Sequence, residues 1–77
     1  MAAGGIVTLV ALVRDGSLEG KTVAARALGN LASNHVWRKV SIAAAGGIEA
    51  LVALVRSGSP DGKAAAAMAL RILNATA

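Results

Sequence analysis

Residues 45–56, Ala45-Gly46-Gly47-Ile48-Glu49-Ala50-Leu51-Val52-Ala53-Leu54-Val55-Arg56, restate residues 3–14, Ala3-Gly4-Gly5-Ile6-Val7-Thr8-Leu9-Val10-Ala11-Leu12-Val13-Arg14, at an offset of 42 positions. The offset holds downstream. Gly16, Ser17, Gly20 and Lys21 map to Gly58, Ser59, Gly62 and Lys63, and Ala24, Ala27, Leu28 and Leu31 map to Ala66, Ala69, Leu70 and Leu73. A period in the low forties with helical patterning predicts an α-solenoid, in which each repeat rests on its neighbours.

Within each copy the apolar spacing predicts two helices. Ile6, Leu9, Val10 and Val13 fall at i, i+3, i+4 and i+7, one stripe of an amphipathic helix, and Ile48, Leu51, Val52 and Val55 copy it. A second helix carries Val23, Ala24, Ala27, Leu28 and Leu31, copied as Ala65, Ala66, Ala69, Leu70 and Leu73. The turns between them predict a glycine stop at Gly16 and Gly58, serine N-caps at Ser17 and Ser59, and Pro60 in the first turn of the next helix. Ser33 to Ala44 holds a third helix that occurs once, with Asn34 or Ser33 as its cap, Val36 and Val40 one turn apart, and Gly46-Gly47 as its end.

A 42-residue unit with a short first helix, the break Ala45-Gly46-Gly47-Ile48, the run Leu51 to Val55, a Gly/Ser/Pro turn and an Ala-Leu-rich third helix resembles the armadillo repeat. It is most similar to the variant of plant armadillo proteins and of consensus-style designs, in a fragment of about two repeats. HEAT repeats are helix pairs that lack the extra helix and the Gly-Gly break. The resemblance implies an all-α, right-handed superhelical solenoid with helix order H2-H3-H1-H2-H3. It divides the chain into residues 1–33, a repeat without H1, and residues 34–77, a complete one, within a single domain.

Composition excludes several classes of function. The 77 residues are 56% apolar and 16% charged, with a mean hydropathy of +0.65, too apolar for intrinsic disorder. Trp37 is the only aromatic side chain, so Ala, Val, Leu and Ile must make the core. The absence of cysteine removes disulfides and thiolate chemistry. A net charge of +4 is spread singly, with Arg38-Lys39 the only adjacent pair, which is not the dense patch that nucleic acid requires. The longest uncharged run, Met1 to Val13, is too short to span a bilayer and lacks signal-peptide features, so the default expectation is a cytoplasmic protein without a membrane partner.

Nothing in the motifs predicts an enzyme, cofactor or metal. Gly16 to Thr22 has three residues between its glycines where a phosphate loop has four, and its copy ends in Ala64 rather than a hydroxyl residue. His35 reads as a solvated turn residue without convergent partners, and Asp15, Glu19, Glu49 and Asp61 lie in turns or early in helices.

Two interaction surfaces are expected instead. In armadillo repeats an Asn late in H3 lies on the concave surface and bonds to the backbone of an extended peptide, and Ala27-Leu28-Gly29-Asn30-Leu31-Ala32 matches that motif. The resemblance implies a groove of Arg26, Asn30 and Arg71 for an extended, acidic peptide. The second copy carries Ile72 at the Asn position, and Arg26 and Met68 replace the stacking Trp of the family. Asn30 is therefore either a working clamp or a retained family residue.

The other surface is self-association. Terminal repeats normally present a polar outer side, yet the first unit begins at H2 and the last helix, Ala64 to Leu73, is apolar nearly all round. A core without aromatics in so short a chain rarely supplies more than about 3–5 kcal/mol net. A homo-oligomer, most simply a symmetric dimer, is expected, with candidate contacts at Ile6, Leu9, Trp37, Met68, Leu70, Ile72 and Leu73. Trp37, on the outer H1, either covers Val and Leu side chains or anchors a subunit contact.

Overall fold

The computed structural model describes residues 3–34 and 36–74; His35, expected in a turn, lies outside them. Five helices follow in chain order: α1 (Ala3–Asp15), α2 (Leu18–Asn34), α3 (Val36–Ala44), α4 (Gly47–Ser57) and α5 (Pro60–Asn74). The described residues contain no strand. This is the all-α repeat architecture that the 42-residue period implies, with α1–α2 copied as α4–α5 and α3 between them.

The turns show why the helices start where they do. The Ser17 hydroxyl accepts a hydrogen bond from the Gly20 N–H at 3.0 Å, and the Ser59 hydroxyl accepts one from the Gly62 N–H at 3.1 Å. Each satisfies a donor that the first helical turn leaves without a partner. Pro60 opens α5, where its missing N–H costs nothing.

The glycine stops work differently from the expectation. Gly58 is extended, with φ −78° and ψ 173°, and Gly46 is the one described residue with positive φ, at 84°. Gly16 and Gly58 are needed for space: their N–H groups bond to the carbonyls of Leu12 and Leu54 at 2.8 Å, and a Cβ would lie 2.6 Å from the same oxygens.

Two further expectations are corrected around α3. Ser33 belongs to α2 and its hydroxyl donates back to the Asn30 carbonyl at 2.9 Å, so it does not cap α3. Among the described side chains of α3 the fully buried one is Ile42, while Val40 is exposed; the side chains of Val36 and of the candidate cap Asn34 lie outside those described. Ile42 fits because Gly47 has no side chain: a Cβ there would lie 2.7 Å from the Ile42 carbonyl oxygen and closer still to its Cγ2.

α2 is the central helix and packs more extensively on α5 than on any other. Small residues let the two approach. A Cβ at Gly29 would lie 3.4 Å from the Ala69 Cα, and one at Gly62 would lie 3.1 Å from the Thr22 Oγ1. The core is aliphatic, with Val10, Val13, Leu28, Ile42 and Leu51 its largest fully buried side chains. Ile6 belongs to this core, and Leu9, Leu70, Ile72 and Leu73 are half-buried against it. The last helix is therefore less bare than its composition predicts, because much of its apolar surface turns inward.

Candidate interaction surfaces

On α2, Arg26 and Asn30 stand one turn apart and both are exposed. Arg71 does not join them. Ala69 is fully buried and faces Gly29 of α2, and Arg71, two residues on, lies about 200° further round α5. It therefore points away from α2. The second-copy counterparts of Arg26 and Asn30 are Met68, partly exposed, and Ile72, half-buried, so among the described side chains at these repeat positions there is a single polar rung. Beside it a cleft of about 370 Å³ opens among Leu18, Glu19, Thr22, Val23, Arg26, Ser59 and Asp61.

The two ends of the stack are the other surfaces. Internally, α1 presents Ile6, Val10 and Val13 to the core, whereas α4 presents Ala50, Leu51 and Leu54. These are not the same positions of the repeat, because the neighbouring copy lies on one side of α1 and on the other side of α4. Each copy consequently leaves open the stripe that its twin buries. Leu12 is 42% exposed and its counterpart Leu54 only 3%; Val23 is 60% exposed and its counterpart Ala65 only 4%. In the opposite sense, Ile48 and Val52 are exposed where Ile6 and Val10 are buried.

Of the residues expected to mediate self-association, the structure withdraws Ile6, which is buried in the core. Leu9 lies on the α1–α2 end; Leu70, Ile72 and Leu73 lie on α5 and keep part of their surface. Met68 folds back over α2, its Cε 3.6 Å from the position of a Cβ at Gly29. Trp37 is 76% exposed, with Val40 exposed one turn on. It protrudes from α3 instead of covering the core.

Sequence reasoning missed Leu12, Val23, Ile48 and Val52. The available signal was the position-by-position comparison of the copies, in which Val23 against Ala65 and Arg71 against Gly29 are departures from an otherwise close repeat.

Five helices in this order, with turn chemistry used twice and small residues at the repeat junction, define a helical repeat protein of the solenoid class. Residues 1–33 match the Armadillo/beta-catenin-like repeat family, the same pattern returns 42 positions on, and the five helices have the all-α, armadillo-type helical-repeat fold. Among curated proteins and among solved structures, none matches this chain.

Proposed function

We propose that this chain is a non-enzymatic protein-interaction scaffold that associates with copies of itself through its apolar ends. Armadillo repeats mediate protein–protein interactions in general, which supports the class. The observation that carries the finer reading is the complementary exposure of the two copies: positions buried at the internal repeat junction, such as Leu54 and Ala65, lie open at the end of the stack as Leu12 and Val23. Full burial of such a side chain is worth about 1.5–3 kcal/mol, and Leu12 and Val23, each about half exposed, forgo roughly half of it.

Light scattering across a dilution series, with circular dichroism on the same samples, tests this. A mass of at least twice 7.6 kDa at high concentration, falling on dilution, is the expected result. A helical particle of 7.6 kDa at every concentration overturns it.

A second reading is favoured by the exposure of Asn30 beside Arg26. Here α2 holds an extended acidic peptide, with the Asn30 amide bonding to its backbone. Titration with an acidic peptide should then show binding that Asn30→Ala abolishes while leaving the scattering mass unchanged. Equal binding by the variant removes the clamp.

A further inference from the structure

We infer that self-association runs through one end only: α2 crosses α2 of a second copy about a two-fold axis near Val23, giving a closed dimer. This rests on the self-association reading above and specifies its surface. The internal junction shows that this face packs closely on a helix, there on the Gly29 face of α2. There α5 packs on α2 through Gly62, Ala65 and Ala69, all buried. The same three positions on α2 are Gly20, Val23 and Ala27, on one face of the helix at i, i+3 and i+7. Gly20 and Ala27 are half-buried and Val23 is exposed, so the face that α5 uses for close packing is open on α2.

The charges fit a two-fold crossing. Glu19 and Arg26, both exposed, flank Val23 on either side along α2, on the edge that also lines the cleft with Ser59 and Asp61 of α5. In an antiparallel crossing centred on Val23, Glu19 of each copy falls beside Arg26 of the other. A parallel crossing would place like charges together. Leu12, on the neighbouring helix of the same end, extends the apolar surface.

The opposite end is closed to a further copy. In the internal junction α2 offers Gly29 and Ala32 to α5, both buried. With a Cβ at Gly29 already 3.4 Å from the Ala69 backbone, nothing longer fits. At these positions α5 carries Arg71 and Asn74, both exposed. Stacking another copy there in the same register would drive a guanidinium into a helix backbone and bury it without a partner. Growth therefore stops at α5, and the α1–α2 end pairs with itself.

Single-site variants of the full chain separate the alternatives by light scattering, with helicity checked by circular dichroism. The wild type is expected to reach twice 7.6 kDa and no more. Val23→Glu and Leu12→Glu should weaken the dimer at least tenfold, and Val52→Glu, at the other end, should leave it intact. Monomeric Val52→Glu with dimeric Leu12→Glu would overturn the assignment. So would Leu12→Glu and Val52→Glu that are each monomeric but form a dimer when mixed, the signature of head-to-tail stacking. In both cases self-association itself would stand, whereas a monomeric wild type removes that reading and this one together.

Because the chain has no cysteine, a disulfide gives a second readout that needs no disruptive charge. Val23→Cys should oxidise to a covalent dimer, since the crossing brings the two side chains within bridging distance, and Val52→Cys should not. The reverse pattern overturns the proposal.

Discussion

α1 and α4 share most of their sequence, yet they bury different stripes. In α1 the inward residues are Ile6, Val10 and Val13; in α4 they are Ala50, Leu51 and Leu54. The difference comes from position in the stack, since α1 has its neighbour on one side and α4 on the other. A repeat therefore has two working faces, and a given copy uses the one its neighbour reaches. The same contrast sets α2 against α5. Leu28 is fully buried between helices, while its counterpart Leu70 is covered on one side only.

The largest predicted effect exploits that pair. Leu28→Ala should cost about 2–5 kcal/mol, because it removes a buried side chain and leaves a cavity that neighbours fill only partly. In a small domain whose whole stability is about 5 kcal/mol, that is enough to unfold much of the population. Leu70→Ala, at the same repeat position, should cost about 1–2 kcal/mol, since less area leaves water there. Urea titration followed by circular dichroism reads both. Equal losses would mean that the α5 end is covered in solution as fully as the junction, contrary to the closed end argued above.

How much of this was legible beforehand depends on what the information was about. The period of 42 is a self-similarity of the sequence, and the helix pairs and the caps at Ser17 and Ser59 are local matters, set by residues within a turn or two of each other, so the pattern carries them. The choice of face is not local. The stripe Ile6, Leu9, Val10 and Val13 reads as one unit, but the structure buries three of these and leaves Leu9 half-open. Ile6 was expected at a subunit contact and lies in the core for this reason. Arg71 was grouped with Arg26 and Asn30 because all three lie in third helices. Only the helix azimuth, fixed by Ala69 facing Gly29, shows that it points the other way.

A smaller effect is predicted where glycine is copied but its surroundings are not. A Cβ at Gly62 would meet the Thr22 Oγ1 at 3.1 Å and the Leu54 Cδ1 at 3.3 Å, whereas one at Gly20 would meet only the Ser17 Oγ, at 3.1 Å. Gly62→Ala should therefore destabilise by about 1 kcal/mol, as crowding outweighs the gain in helix propensity. In the dissociated chain Gly20→Ala should change stability by less than about 0.5 kcal/mol, its crowding and propensity terms nearly cancelling. The midpoint of thermal unfolding would order the two. A reversed order would show that the α2–α5 approach is looser than these distances indicate.

The smallest difference lies between the two caps. Ser17→Ala and Ser59→Ala each remove the side-chain acceptor of a first-turn N–H, and such losses are typically about 1 kcal/mol. The hydrogen bond from the Gly62 N–H to Ser59 is part-buried, while that from the Gly20 N–H to Ser17 is exposed. Water can replace the lost acceptor readily at Ser17 and less readily at Ser59, where a donor without a partner costs more. In the dissociated chain Ser59→Ala should therefore be the more destabilising of the two, by a few tenths of a kcal/mol. Denaturant midpoints measured on both variants at matched concentration check this. If Ser17→Ala proved the costlier, the start of α2 would be shielded in solution by something that the isolated chain lacks, and a second copy lying across Gly20 and Val23 would provide that shielding.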